Sequence, residues 1–392
     1  MALWYVRSMS WLLFFGGVGL VVVGLLDVFF TVLHYDDLGF LSKRLHKGIW
    51  GVLRRITAPM PPNLRNLGLS LGGPLMIPAT ILLWVGLAMV GFALIYYAGM
   101  GEENFAFDYE VDQSFGRMLY LSGVTVATLG YGDITPISPL YELVALSQAL
   151  IGFGILSLSI TYVLGSYGFL HQLSILASDL YHQAEDPTDP KSTLVSHFPE
   201  GRPKNLDPHL MSLYRGVIAY AEGVRRYPVV YYFYGRRPYR SMPYAFYMIG
   251  GLAAALRWGL PKGHPASQEP WLPALIEAFT GVSIRMEKRF MPRSRTKEDP
   301  QEVDFATFVS CLEGKEEPAD SWLGQFLDLQ GWMRRLAGLE DALPDAEEAY
   351  ARYKEWLPFA HRVDRFVRTA LEDLGRSLDD IRHRDPKAKL FE

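Results

Sequence analysis

One short stretch of the chain has a backbone suited to coordinating a dehydrated cation. Residues 128–133 read Thr-Leu-Gly-Tyr-Gly-Asp. Gly130 and Gly132 can adopt positive φ without a steric penalty at Cβ, so that successive carbonyl groups face one axis. Leu129 and Tyr131 then direct their side chains away from that axis, and the threonine hydroxyl adds a further oxygen at the inner end. A narrow tube of such oxygens can replace the hydration shell of a monovalent cation.

A tube of this kind must be held inside a membrane, and the chain has suitable apolar segments. Three segments are almost free of charged residues: Trp11–Leu33, Pro74–Ala98 and Ser138–Leu170. Each is long enough to cross about 30 Å of hydrocarbon as an α-helix. A secretory signal peptide is the alternative for the first segment, but its apolar run is long and no small-residue cleavage site follows before His34. We therefore expect three membrane helices.

A shorter helical pattern leads directly into the cation-coordinating stretch. Phe115–Ala127 is too short to cross a bilayer and is predicted to be a re-entrant helix. Its C-terminal end would direct the negative end of its dipole toward the membrane centre. This arrangement favours a cation at that depth.

The order of these elements resembles the pore domain of potassium channels: membrane helix, re-entrant helix, Thr125-x-x-Thr128 continuing to Asp133, and membrane helix. The resemblance covers about residues 75–170. It implies a selectivity filter made of Thr128, Leu129, Gly130, Tyr131, Gly132 and Asp133. It implies that carbonyl groups of the first four residues bind K⁺. Because one chain supplies one filter strand, the resemblance also implies a homotetramer, with K⁺ as the permeant ion and no cofactor.

The same resemblance assigns roles to the last membrane helix. In such channels a glycine about twenty residues beyond the second filter glycine bends the inner helix during opening, and Gly152 and Gly154 lie in this region. Close helix packing is the alternative role for these glycines, and both interpretations stay open. The cytoplasmic mouth, where inner helices converge, falls at Ile160, Thr161, Leu164 and Gly165.

The distribution of Lys and Arg predicts the orientation. Residues 34–73 carry six of them, whereas residues 99–137 carry only Arg117. The positive-inside rule places residues 34–73 in the cytoplasm, the N-terminus outside, and everything after the third membrane helix in the cytoplasm. We thus predict an all-α, multi-pass cell-membrane protein. Its predicted domains are an N-terminal transmembrane helix with a cytoplasmic basic linker (1–73), a pore domain of outer helix, pore helix, filter and inner helix (74–170), and a helical cytoplasmic domain (171–392).

The predicted cytoplasmic domain shows helical patterns separated by Pro and Gly. They are Pro208–Tyr227, Tyr244–Trp258, Glu269–Arg289, Ala319–Leu339 and Ala346–Asp379. Ala245–Leu260 is the most apolar stretch, but it is short for a span and contains Arg257, so we expect a buried core helix. Apolar residues between 173 and 180 predict that the inner helix continues beyond the bilayer. This domain is expected to regulate the pore, with assembly or trafficking as the alternative.

Composition argues against other classes of function. The formal net charge of −4 gives no basic excess for binding nucleic acid, and the single Cys311 excludes an intrachain disulfide or a cysteine zinc cluster. The predicted cytoplasmic domain lacks HExxH, GxSxG and phosphate-binding signatures, so an enzyme is not expected there. The sequence does not identify a gating ligand. A non-conducting, membrane-anchored signalling or binding protein is the alternative to a channel.

Two sets of acidic residues call for an explanation. The external connection carries five carboxylates, at Glu102, Glu103, Asp108, Glu110 and Asp112, which would concentrate cations unless the loop is an ordinary solvated one. Asp27 lies inside the first membrane segment, where an ionisable group is costly. We expect it to pair structurally with a cation such as His34 or Arg44, in preference to a gating role.

Overall fold

The chain folds into two compact units in the computed structural model, which describes residues 2–34, 39–108, 114–233, 238–291, 300–340 and 344–382. The first unit combines Met1–Phe169 with Gly223–Phe233, and the second combines Leu170–Glu222 with Tyr234–Glu392. The return of Gly223–Phe233 to the first unit was not expected from the sequence. Because almost all of the regular structure is helical, the predicted all-α class is confirmed.

The first unit is built from the membrane helices and their connections. In chain order the elements are α1 (Ala2–Val28, continued by a π-helical turn at Phe29–Leu33), α2 (Phe40–Thr57), α3 (Pro62–Ser70), α4 (Gly72–Ala98), β1 (Phe105–Phe107), α5 (Phe115–Val126), β2 (Ile134–Pro136) and α6 (Pro139–Gln183). The part of α6 that begins at Leu170 belongs to the second unit. Among the described residues, three stretches are long and apolar enough to cross a membrane: Ser10–Leu33, Leu64–Ala98 and Pro139–Gln183. The three predicted spans are therefore confirmed, and so is the extension of α6 beyond residue 170.

Two apolar clusters hold the membrane helices around α5. One cluster joins α1, α4, α5, α6 and the two short strands through residues that include Val21, Phe92, Met118 and Tyr141. The other joins α1, α4, α5 and α6 and includes Trp84 and Val126. Since α5 contributes to both clusters, it is fixed along its length by the surrounding helices.

The predicted basic linker is not extended but helical. In α2 the side chains of Ser42, His46 and Trp50 are buried, four residues apart, on one face. Basic residues lie between them, and α2 packs against α4. An amphipathic basic helix of this kind is typical of a membrane–water interface.

The remainder of the chain is a helical domain. After a 3₁₀ segment at Pro190–His197, its elements are α7 (Leu206–Arg226), α8 (Met242–Trp258), α9 (Trp271–Phe290), α10 (Phe305–Leu312), α11 (Ser321–Leu336), α12 (Ala346–Asp373) and α13 (Asp379–Arg382). Helix α8 is buried on nearly all sides, in contact with α9, α11 and α12, as predicted for a core helix. The aspartates before α10, α11 and α12 accept hydrogen bonds from first-turn N–H groups and so define where these helices begin.

Candidate functional site

The backbone after α5 alternates in handedness. Thr128, Gly130 and Gly132 have φ of 57°, 56° and 82°, whereas Leu129 and Tyr131 are not in the positive-φ region. The alternation turns successive carbonyl groups toward one side of the strand, the geometry that an ion-coordinating tube requires. The positive φ predicted for the two glycines is confirmed. That of Thr128 was not predicted, because a residue with a Cβ adopts it only where its surroundings enforce it.

The end of α5 enforces this conformation at the inner end of the filter. The carbonyl of Val124 accepts hydrogen bonds from the N–H of Leu129 at 2.8 Å and of Gly130 at 3.4 Å, and the N–H of Thr128 donates to Thr125 at 3.0 Å. Carbonyl groups in the last turn of a helix have no partner within the helix. Here they anchor the filter strand, which supplies the missing donors.

A two-stranded sheet anchors the outer end of the filter. Strands β1 and β2 are antiparallel, with Ala106 opposite Thr135. The carbonyl of Asp133 accepts a hydrogen bond from Asp108 N–H at 3.1 Å, which extends the pairing to the last filter residue. Behind the sheet, the ring of Phe105 packs 5.1 Å from that of Tyr141 on α6. The predicted filter, residues 128–133, is therefore held at both ends by backbone hydrogen bonds.

The sheet was missed by the sequence analysis, which treated this connection only as an acidic loop. Its one signal was the alternation of aromatic and β-branched residues in Phe-Ala-Phe and Ile-Thr-Pro, which is weak over three residues. Glu102, Glu103 and Asp108 are exposed on the connection. Glu110 and Asp112 lie outside the described residues.

A buried polar network fixes α5 between α4 and α6. The amide of Gln148 donates to the carbonyl oxygen of Ser122 at 2.8 Å and to its hydroxyl at 2.7 Å. The hydroxyl of Tyr96 donates to the Gln148 side-chain oxygen at 2.6 Å, and Ser122 donates to the Met89 carbonyl at 2.7 Å. Gln148, Ser122 and Tyr96 are fully buried. Sequence analysis missed this network, although a glutamine within an apolar membrane helix was a signal for it.

The two candidate hinge glycines have different surroundings. A Cβ on Gly152 would lie 2.5 Å from the carbonyl oxygen of Val126, so the absence of a side chain allows α6 to approach the end of α5. A Cβ on Gly154 would meet nothing within 4 Å. Helix α6 runs through both positions without a break. Gly152 thus has a packing role, and bending at either glycine stays a prediction.

The four residues expected at the inner mouth do not share one face of α6. Ile160, Thr161 and Leu164 are exposed in the single chain. Gly165 instead contacts Tyr227, whose hydroxyl would clash with a Cβ at this position. The ring of Tyr227 also lies 6.0 Å from that of the fully buried Tyr162. The structure therefore separates Gly165 from the other three residues and places it beside the returning segment Gly223–Phe233.

An apolar surface extends from the filter along α6. Leu129 and Tyr131 are 58% and 67% exposed in the single chain. Further exposed apolar residues follow on α6: Leu143, Leu146, Leu150, Phe153, Ile160 and Leu164. A membrane protein can bury such a surface against lipid or against further protein subunits. A single filter strand cannot by itself close a ring of oxygens.

The Asp27 carboxylate lies at the junction of α1, α2 and α4. It accepts hydrogen bonds from the Leu41 N–H at 2.8 Å, from the N–H and hydroxyl of Ser42, and from the indole Nε1–H of Trp84 at 2.9 Å. Asp27 thus acts as the N-terminal cap of α2 from a different helix. The predicted structural pairing is found, but the partners are these donors and not His34 or Arg44.

His46 lies nearby on the buried face of α2. Its Nε2 is 2.8 Å from the hydroxyl oxygen of Thr80, whose own proton goes to the Met76 carbonyl. The Thr80 oxygen must therefore accept, so Nε2 of His46 carries a proton. Its Nδ1 is buried without a hydrogen-bond partner among the described residues. Burial lowers the pKa of His46 to about 4, although the Asp27 charge opposes that shift.

Part of the chain, which includes the residues described above from Thr80 to Gly165, is similar to known proteins. Residues 79–166 match a family model described as ion channel. The membrane protein YdjJ of Bacillus subtilis (strain 168), itself uncharacterised, is 21% identical over 258 residues, which cover 64% of this chain and 72% of YdjJ. Protein LctB of Geobacillus stearothermophilus is 32% identical over 77 residues, 18% of this chain and 57% of LctB.

A plant protein shows a comparable short match. Two pore potassium channel c of Oryza sativa subsp. japonica is 38% identical over 82 residues, which cover 20% of this chain and 18% of the rice protein. This chain therefore spans little of the rice channel and just over half of LctB. No solved structure matches the chain significantly.

Proposed function

We propose that this chain, whose residues 79–166 match an ion-channel family model, is a subunit of a homotetrameric potassium-selective channel in the cell membrane. The observation that carries the proposal is the alternation of positive φ at Thr128, Gly130 and Gly132. Because carbonyl oxygens on one side of such a strand can replace the hydration shell of K⁺, four strands around one axis form a selective filter. The potassium channel among the relatives supports this choice of ion.

The proposed tetramer places residues 128–133 of each subunit around a common axis. In the proposed tetramer, Leu129 and Tyr131 pack behind the filter, and the apolar surface of α6 faces the neighbouring subunits and the pore. The N-terminus lies outside and the helical domain in the cytoplasm. The basic, amphipathic α2 supports this orientation because such helices bind the anionic inner leaflet.

Ion flux from liposomes tests the function. Liposomes that contain the purified chain should release K⁺ much faster than Na⁺. Gly130→Ala should abolish this preference or the flux itself while tetramers persist, because Gly130 has φ of 56° and a Cβ there disfavours the backbone conformation. Gly86→Ala is the matched control, since a Cβ at this position on α4 would meet nothing within 4 Å.

The outcomes of these flux measurements distinguish a conducting channel from a non-conducting, membrane-anchored protein. Unchanged selectivity in the Gly130→Ala variant would refute the role of the filter backbone. Absence of K⁺ flux from the unmodified protein over a range of pH, voltage and cytoplasmic extract would favour the non-conducting signalling or binding protein instead.

We further propose that the cytoplasmic helices regulate opening through Gly223–Phe233. This segment belongs to the first unit, where Tyr227 contacts Gly165 and the ring of Phe233 lies 5.7 Å from that of Tyr167 on α6. Its neighbours in sequence belong to the second unit. A conformational change in the helical domain could therefore be transmitted to the inner helix, provided that a ligand binds the two states with different affinity.

Substitutions test this regulation more cleanly than truncation. A chain that ends at Ser178 would also lose Gly223–Phe233, and with it part of the first unit. Tyr227→Ala should instead change the open probability and leave the K⁺ to Na⁺ permeability ratio unaltered, because the filter is untouched. Tyr214→Ala is the control, as Tyr214 packs on Trp271 in the second unit. Equal open probability in both variants and the unmodified channel would contradict the coupling role.

A further inference from the structure

We propose that the helical domain has a binding site for a small organic cation, an ammonium group carried on a compact apolar body. The site is a cavity of about 260 Å³ lined by residues of α8, α11 and α12 and by the 3₁₀ segment that begins at Pro190. The whole cavity lies within the second unit. Its volume suits a small molecule better than a single metal ion.

Two indole rings form adjoining walls of the cavity. Trp322 on α11 and Trp356 on α12 both line it, and their ring centroids lie 6.1 Å apart at an interplanar angle of 66°. At this distance and angle the two rings contact each other edge to face, so a ligand would lie against the ring surface that faces the cavity. The faces of tryptophan rings carry negative potential and attract ammonium groups within about 6 Å. The apolar substituents of the same ligand would cover indole surface.

The charges around the cavity favour a cation. Asp189, Asp328 and Asp364 line the cavity with one lysine, Lys191. Lys191 pairs with Asp189 at 3.1 Å, and Asp364 pairs with Arg368 at 2.6 Å. Asp328 has neither an ion pair nor a hydrogen bond among the described residues.

The unpaired carboxylate of Asp328 therefore favours a cationic ligand over a neutral or an anionic one. This carboxylate lies on the same helix as Trp322 and can pair with an ammonium group that lies in the cavity against the indole surface. A neutral ligand would gain only the ring contacts and a hydrogen bond from Gln325, which also lines the cavity. An anion would meet an excess of carboxylates. The combination of indole walls and an unpaired carboxylate thus distinguishes this cavity from a simple packing defect.

Isothermal titration of the full-length protein in detergent tests the site. Choline is the probe, and 3,3-dimethylbutan-1-ol is its uncharged counterpart of the same shape. We expect saturable binding of choline and at least about tenfold weaker binding of the alcohol, because only the cation gains from the rings and from Asp328. Equal binding of both probes, or no binding of choline, would overturn the proposal.

Variants locate the binding within the cavity. Asp328→Asn and Trp322→Leu should each weaken choline binding about tenfold. Glu277→Gln and Trp271→Leu, both on α9 away from the cavity, should leave it unchanged. Asp328 is exposed, so its substitution should not disturb folding, and circular dichroism checks the tryptophan variants. If the Asp328→Asn variant binds choline as tightly as the unmodified protein, choline binds elsewhere, for example in the pore, and the proposed site is refuted. The result does not depend on conduction, which separates it from the test of channel function.

Discussion

The indole of Trp84 donates a hydrogen bond of 2.9 Å to the carboxylate of Asp27, joining the first two membrane helices at the depth where α2 begins. The same carboxylate receives the first-turn N–H groups of α2. One acidic side chain therefore determines how three helices meet. In hydrocarbon, where water cannot replace a lost partner, this junction is expected to be sensitive to substitution.

Replacing the Asp27 carboxylate should destabilise the junction of α1, α2 and α4 without altering ion conduction. Asp27→Asn replaces one of the two acceptor oxygens by an amide donor, so that either the N–H groups of α2 or the Trp84 indole and the Ser42 hydroxyl lose their acceptor, which should destabilise the protein by about 1–3 kcal/mol. Trp84→Phe should destabilise the protein less, because it removes a single hydrogen-bond donor to Asp27. Thermal melting measures both variants against Trp11→Phe, which changes an exposed indole on α1. A changed permeability ratio or open probability with normal melting would instead favour a gating role for Asp27.

The free energy of unfolding should fall as the pH is lowered, because the buried imidazole of His46 resists protonation. Its pKa of about 4 lies below the usual 6.5, so between these values the unfolded chain binds a proton that the folded chain does not. The contribution of His46 is thus complete above pH 6.5 and is lost as the pH falls toward 4, by up to about 3 kcal/mol.

Comparison of variants isolates this contribution. His46→Gln should melt with a weaker dependence on pH between 7 and about 4.5 than the unmodified protein. Burial also lowers the pKa of His209, with a further effect from His197, and so adds a dependence of the same sign in both proteins. His171→Gln, at an exposed position, is the control. A parallel pH profile for His46→Gln would show that the buried imidazole is not the group responsible.

The network at Gln148 should control the stability of the filter region. Gln148→Leu leaves the Tyr96 hydroxyl and the Ser122 carbonyl without their partner, at a cost of about 1–3 kcal/mol. We expect tetramers of this variant to dissociate at lower temperature, measured by gel electrophoresis after heating. Ser147→Ala is the neighbouring control, since the Ser147 hydroxyl bonds only to the Val144 carbonyl of its own helix. Equal dissociation temperatures would mean that helix packing alone holds α5.

The acidic connection should raise conductance at low salt. Neutralising Glu102, Glu103 and Asp108 together should lower inward K⁺ current at low ionic strength and have little effect near molar salt, where the Debye length is about 3 Å. Single-channel recording measures the difference. The combination of Glu302→Gln, Glu316→Gln and Glu317→Gln, three exposed carboxylates in the helical domain, controls for the same change in net charge. A loss of equal size at both salt concentrations would point to a local structural effect.

Local patterns in the sequence predicted the elements that depend on local chemistry. Apolar length defined the three spans, and the expected pore helix, Phe115–Ala127, differs by one residue from Phe115–Val126. The positive φ of Gly130 and Gly132 could be predicted from residue type alone, because no other residue adopts positive φ as readily. The apolar composition of Ala245–Leu260 identified the buried core helix.

Contacts between distant parts of the chain escaped prediction. Two of the four donors to Asp27 are backbone N–H groups, which have no signal in the sequence, and the other two, the Ser42 hydroxyl and the Trp84 indole, lie 15 and 57 residues away along the chain. Strands β1 and β2 are three residues long, and their pairing joins positions on either side of the filter. The contact of Tyr227 with Gly165 depends on tertiary packing that leaves no periodic signal.

The return of Gly223–Phe233 to the first unit has a consequence for biosynthesis. The ribosome completes all three membrane helices before it makes this segment, which at roughly 5–20 residues per second follows them by several seconds. During that interval Gly165 and its neighbours on α6 lack their contact with Tyr227. The nascent subunit therefore enters the bilayer before the contact that we propose controls its opening has been synthesised.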